Sequence, residues 1–80
     1  MNQDTQRYYD AAAKVLDGRD PIADRGEIMV TLEGAVTAVL LMVMNGDPRK
    51  AAGMLNEGLV QGVEGRLALW ASRKQAKETP

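Results

Sequence analysis

The chain has 80 residues, with ten lysines and arginines against eleven aspartates and glutamates, so its formal net charge is −1. A near-neutral chain offers no broad attraction to DNA, RNA or anionic lipid, and we expect no general nucleic-acid binding. The absence of cysteine and histidine excludes disulfides and the usual zinc, haem and iron–sulfur ligand sets, so we expect no metal and no cofactor. We treat residues 1–80 as a single domain, and a core this small favours oligomerisation as the remaining means of stabilisation.

The N-terminal segment predicts a short helix of about residues 5–17. Asp4 stands where a capping residue is favoured, and Gly18 follows where helices commonly end. Tyr8 and Tyr9 are adjacent and point about 100° apart on a helix, so we expect one in the core and the other outward, where it can stack on a base or bind a phosphate. The predicted apolar face of this helix carries Tyr8, Ala12, Val15 and Leu16.

Residues 19–23 are predicted to form a turn. Pro21 disfavours a helix through Asp20 because of the steric restriction that proline places on the residue before it. We expect Ile22 to turn inward.

A second helix of about residues 25–44 follows this turn. Asp24 and Glu27 have the spacing of a capping box, with Asp in place of the usual Ser or Thr. From residue 28 to residue 44 apolar side chains point in nearly every direction around the helix, whereas an amphipathic helix needs only one apolar side. Residues 28–32 keep a strand alternative, since Ile, Val and Thr favour sheets, although no partner strand is visible.

An alternative interpretation of the apolar run at residues 28–44 is a transmembrane helix. Its length is at the short limit, Glu33 lies inside it, and aromatic anchors are missing from both flanks. We therefore expect no membrane insertion and a helix that is covered by protein. The first residues lack the basic and apolar regions of a signal peptide, which predicts a cytoplasmic location.

The clearest boundary in the chain is the segment Asn45-Gly46-Asp47-Pro48, which combines a stop, an N-cap and a proline at the first helical position. It predicts a third helix of about residues 48–74 with a frayed tail at 75–80. The short link makes the second and third helices antiparallel neighbours.

The third helix carries two predicted surfaces. An apolar side is formed by Ala52, Leu55, Leu59, Val63, Leu67 and Trp70. Beside it runs a ridge of small residues that includes Ala51, Gly58, Gly62 and Gly65. Glycine inside a helix costs about 0.8–1 kcal/mol relative to alanine, so we expect a compensating role, either close helix packing or a flat ligand or backbone lying on the glycines. A third alternative is a helix that is kinked or shorter than predicted.

Polar residues within the apolar run are candidates for an interface. Glu33 and Thr37 lie one turn apart on the second helix. One interpretation is that Glu33 is solvated. The other places Glu33 and Thr37 at the centre of an oligomer or partner interface, with Glu33 paired to Arg25 or Arg66 of another chain.

Trp70 is the remaining candidate. With Arg66, Arg73 and Lys74 it predicts a cation–π or anion-binding patch, or else a helix-end anchor with a basic last turn. The methionines at positions 29, 42, 44 and 54 can form an adaptable binding surface, but they are interpreted as core residues that fill irregular spaces. No spacing singles out a nucleophile and base, so we expect no enzymatic activity and no catalytic residues.

The run Leu32-Glu33-Gly34-Ala35-Val36, downstream of the Tyr8-Tyr9 helix and Arg25, resembles the helical hairpins that phages use to sequester cyclic-nucleotide defence signals. The resemblance covers a short stretch and does not include the glycine-rich third helix. It implies a small oligomer that closes over a ligand at subunit contacts, with Tyr8 or Tyr9 and Arg25 at the boundary.

These features predict an all-α fold in which a short N-terminal helix packs on a long antiparallel helical hairpin, assembled as a homodimer or higher oligomer. The expected function is that of a noncatalytic interaction or regulatory accessory module from a bacterium or phage. Its expected partners are further copies of itself, a second protein, or a small anionic ligand. The alternative is an oligomer that sequesters a cyclic nucleotide or a similar signalling molecule.

Overall fold

A computed structural model describes residues 3–78, with side chains described as far as residue 74. The described residues form helices and turns and no strand, which confirms the all-α prediction. The elements are α1 (Gln3–Leu16), α2 (Arg25–Val43), α3 (Pro48–Met54), a π-helical segment (Leu55–Leu59) and α4 (Val60–Glu78). The chain divides into two compact units, one ending at Val39 and the other beginning at Leu40. The packing of α1 on an antiparallel hairpin stays a prediction.

Helix α1 begins two residues earlier than predicted, so Asp4 lies inside its first turn and is not the N-cap. The Asp4 carboxylate lies 3.6 Å from the Arg7 guanidinium and complements the positive end of the helix dipole. No described residue of α1 is buried. The expectation that one tyrosine enters the core is wrong, because Tyr8 is 51% and Tyr9 56% exposed.

The Arg19 side chain caps the C-terminal end of α1. Asp17 and Gly18 adopt left-handed backbone conformations, with φ of 50° and 71°, and so end the helix where Gly18 predicts a stop. The Arg19 guanidinium then donates hydrogen bonds to the carbonyls of Leu16 and Val15 at 3.0 and 2.7 Å. It also donates to the Thr31 hydroxyl of α2 at 2.9 Å. One side chain therefore satisfies the end of α1 and joins it to α2.

Asp20, and not Asp24, is the capping residue of the turn before α2. The Asp20 carboxylate accepts hydrogen bonds from the backbone N–H groups of Ile22 and Ala23 at 2.8 and 2.9 Å. The Asp24 carboxylate instead accepts from the Asp20 N–H at 3.0 Å, so the predicted capping box with Glu27 is wrong. The inward orientation expected for Ile22 is also wrong, since this tight turn leaves its side chain 73% exposed.

Helix α2 follows the predicted boundaries closely, and the strand alternative for residues 28–32 is wrong because they lie within this helix. Its buried residues are Ile28 in the first unit and Leu40 in the second. The helix ends with Asn45 and Gly46, both at positive φ. The Gly46 N–H donates to the carbonyl of Leu41 at 2.7 Å, which satisfies an otherwise unpaired acceptor of the last turn.

The helix start at Asp47 and Pro48 is confirmed. The Asp47 carboxylate accepts from the N–H groups of Arg49 and Lys50 at 3.0 and 3.2 Å. The helix continues to Glu78, beyond its predicted end at about residue 74, and the frayed tail at 75–80 stays a prediction. Residues 79–80 lie outside the described residues.

The Asp20 cap makes the stability of the first unit depend on pH. Hydrogen bonds from the N–H groups of Ala23 and Ile22 to the charged carboxylate hold the pKa of Asp20 below its ordinary value of 3.8. Its contribution is therefore fully present above that value and is lost as the pH falls through the folded-state pKa.

We expect Asp20→Ala to lower the melting temperature near neutral pH, measured by circular dichroism. Asp20→Asn keeps an acceptor oxygen and should retain most of that stability while losing the part of the acid dependence that comes from this carboxyl. Equal melting temperatures for Asp20→Ala and the unaltered chain would contradict a capping role.

Candidate functional site

An exposed apolar surface lies on α2. Large apolar side chains remain exposed on several sides of this helix, with Val30 67% and Met42 77% exposed. The core role expected for the methionines is therefore wrong for Met42 and also for Met29 and Met54, while Met44 is half-buried. By length and composition, α2 is the one helix among the described residues that could cross a membrane. We call the exposed apolar residues of this helix the α2 surface, and they are Met29, Val30, Leu32, Val39, Met42 and Val43.

Glu33 and Thr37 lie within this helix and have different hydrogen-bonding capacities. The Thr37 hydroxyl donates to the backbone carbonyl of Glu33 at 2.8 Å. Its proton is therefore used within the helix, and only its oxygen is available as an acceptor. The Glu33 side chain is exposed, so its carboxylate is accessible to a cation from outside the chain.

The π-helical segment changes the predicted surface of the third helix. The Val60 N–H donates to the Leu55 carbonyl five residues earlier, so this turn contains one more residue than an α-helical turn. The predicted apolar side from Ala52 to Trp70 is therefore not continuous, because side chains before and after the extra residue do not keep one period. The regular stripe begins at Val60 and comprises Val60, Val63, Leu67 and Trp70, all of which are exposed.

The small-residue ridge meets no neighbouring element within the chain at Gly62 or Gly65. A Cβ atom built on either glycine finds no other atom within 4 Å among the described residues. At Gly58 the nearest atom is the sulfur of Met54, at 3.2 Å, from the preceding turn. Within the described part of the second unit, no helix is therefore closely packed on Gly62.

A shallow groove of about 430 Å³ lies in the second unit, beside the start of the π-helical segment. Two glycines and two methionines form its apolar part, and one cation and one anion contribute the charges. We call it the Gly53 groove, and its lining residues are Met44, Lys50, Gly53, Met54, Glu57 and Gly58. Lys50 and Glu57 are seven residues apart and have no ion-pair partner among the described residues.

A second cleft lies near the C-terminal end of α4. Its volume is about 440 Å³, and its lining residues are Trp70, Ala71, Arg73 and Lys74. The Arg73 guanidinium lies 6.0 Å from the centre of the Trp70 ring, within cation–π range. The predicted cation–π patch thus brings Arg73 and Lys74 to Trp70. Arg66 is exposed on the same helix but is not among the residues that line the cleft.

The remaining candidates are Tyr8 and Tyr9 on α1 and Arg25 at the start of α2, all with exposed side chains. Across the described residues, no group of three or more acidic side chains is arranged to hold a metal ion. The sequence analysis did not predict the helix-end role of Arg19 or the place of Lys50 and Glu57 in the Gly53 groove. The Asp17-Gly18 stop beside Arg19 was a signal for a helix-end cap, and the opposite charges seven residues apart were a signal for one shared helix face.

No family model, curated protein or solved structure matches the chain. The roles assigned to its residues therefore depend on the geometry described above, and the resemblance to the phage hairpins stays an expectation.

The open space at Gly62 gives a direct test of the small-residue ridge. We expect Gly62→Ala to stabilise the chain by about 0.5–1 kcal/mol, because alanine has the higher helix propensity and its methyl group meets no atom of the chain. Gly58→Ala is the matched comparison and should gain less, because the Met54 sulfur must move aside. Chemical denaturation measures both, and a destabilising Gly62→Ala would show that Gly62 is packed.

Proposed function

We propose that this protein is a noncatalytic helical interaction module that binds first of all to further copies of itself. The observation that carries this proposal is the exposed α2 surface, which points in several directions around one helix. A helix that is apolar on all sides is normally buried, and contiguous apolar patches of this kind mark interaction sites.

The free energy gained by burying apolar side chains has to exceed the free-energy cost of association. Burying an exposed Val, Leu or Met side chain stabilises by up to about 1.5–3 kcal/mol. Association costs about 4–15 kcal/mol in lost freedom of movement. Several such side chains on each copy are therefore enough to offset that cost, and the exposed stripe of α4 adds further apolar area.

A protein partner accounts for the polar residues of α2 better than a membrane does. The Glu33 carboxylate lies near the middle of the helix, where lipid would leave it without a partner. A second copy instead supplies cations, and we propose that Arg25 or Arg66 of that copy pairs with Glu33. The Thr37 oxygen lies one turn away and is a further acceptor at the same contact.

The second candidate function is the sequestering of a small anionic ligand, such as a cyclic nucleotide, by the oligomer. The observation that favours it is the Trp70 cleft, which combines an aromatic ring with Arg73 and Lys74. A ring can stack on a base while guanidinium and ammonium groups bind phosphate. Native mass spectra distinguish the two functions, because a sequestering oligomer retains an additional small mass.

We expect the protein to be a dimer or larger at micromolar concentration, because the α2 surface needs cover. Static light scattering and native mass spectrometry measure the assembled mass directly. A monomer of 8.7 kDa that melts cooperatively at every concentration would overturn the proposed function.

We expect Glu33→Ala to weaken assembly by a few kcal/mol, because it leaves a partner arginine unpaired at a desolvated contact. Glu27→Ala is the matched control on the first turn of the same helix and should leave the dissociation constant unchanged. A change of only about 0–1 kcal/mol for Glu33→Ala would show that the carboxylate is solvated in the oligomer.

A further inference from the structure

The Gly53 groove has a charge pattern that is complementary to itself. Lys50 and Glu57 carry opposite charges and both line the groove, with Gly53 and Met54 between them. The midpoint of the two charges along the chain falls between Gly53 and Met54. A two-fold axis through that midpoint exchanges the charged positions, so that Lys50 of each copy faces Glu57 of the other.

We propose that the Gly53 groove is a symmetric docking site for a second copy of this chain, with the two helices antiparallel. The contact forms two reciprocal ion pairs between Lys50 and Glu57, one at each end. This inference rests on the proposed function, because it names one contact by which the module associates with itself.

The apolar part of the groove fits the same arrangement. The axis brings Met54 of one copy opposite Gly53 of the other, so that a flexible thioether meets a position without a side chain. A Cβ atom built on Gly53 meets nothing within 4 Å, so the space above it is open in the single chain. The second copy fills that space.

Charge complementarity selects this occupant over others. A general acidic or basic partner would satisfy only one of the two charges, whereas an antiparallel copy satisfies both. Like-charged pairs at an interface are strongly unfavourable, so the arrangement also excludes the parallel orientation, which would place Lys50 against Lys50 and Glu57 against Glu57.

The test uses two charge reversals in the full chain. Lys50→Glu places two acidic groups on each copy, and Glu57→Lys places two basic groups, so each variant repels itself. We expect each to weaken self-association at least about tenfold, measured by light scattering across a dilution series. An equimolar mixture of the two should recover the association, because both reciprocal pairs are attractive in the mixed dimer.

Matched controls separate this contact from a general charge effect. Lys14→Glu on α1 and Glu64→Lys on α4 make the same charge changes outside the groove and should leave association unchanged whether separate or mixed. Gly53→Leu is an independent variant that introduces no charge. The single chain has open space for the Cβ atom of this leucine, whereas a docked copy would meet the side chain, so association should fall while the helical circular dichroism is retained.

The outcomes are distinguishable. A mixture that associates no better than its separate components, or a Gly53→Leu variant that associates like the unaltered chain, overturns the groove contact while the proposed function stands. An unaltered protein that is monomeric at every concentration overturns both. Recovery in the mixture but not in the controls supports the symmetric contact.

Discussion

The need to cover α2 is the constraint on which the other features of this protein depend. Its apolar side chains are distributed around the helix, so a single neighbouring element covers only part of them. Within the first unit Ile28 is buried, and within the second Leu40, while the intervening turns of the helix keep large apolar residues exposed. The other helices leave apolar side chains of their own exposed, above all on α4, and we propose that the remaining cover comes from another molecule.

The sequence was most informative at the two links between helices. The segment Asn45-Gly46-Asp47-Pro48 predicted the helix start because its residues have distinct physical roles. Asn45 and Gly46 adopt the left-handed backbone, Asp47 supplies the capping carboxylate and Pro48 has a fixed φ. The first link supplies the same roles in the same order, with Arg19 between them. The left-handed residues are Asp17 and Gly18, the capping carboxylate is that of Asp20, and Pro21 follows it. The capping role of Asp20 was therefore readable. The capping-box spacing of Asp24 and Glu27 led to the wrong prediction that the Asp24 carboxylate, and not that of Asp20, caps the helix.

Burial and the π-helical segment could not be derived in the same way. Periodicity identifies which side chains share a face, but it does not specify what covers that face. This is why one of the two tyrosines of α1, and Ile22, were wrongly expected to turn inward. The segment from Leu55 to Leu59 contains no proline, and its Gly58 disfavours a helix in general without specifying a π-helical turn. The turn is wider because a backbone N–H donates to the carbonyl five residues earlier and not to the one four residues earlier. No sequence pattern comparable to a cap distinguishes these two acceptors. The Gly53 groove includes part of this segment: the spacing of Lys50 and Glu57 indicates a shared helix face, but it does not indicate the open space beside Gly53.

The extra residue of the π-helical turn also fixes how the two parts of the last helix are oriented about their common axis. In a regular α-helix each residue advances the direction of the side chain by about 100°, whereas the wider turn between Leu55 and Leu59 accommodates one additional residue with little net rotation. The α4 stripe therefore faces the same way relative to α3 as it would in a regular α-helix that is one residue shorter. A rearrangement of the same residues into a regular α-helix, with no change of length, would rotate Trp70 and its cationic neighbours by roughly 100° relative to α3 without altering any side chain that forms either surface.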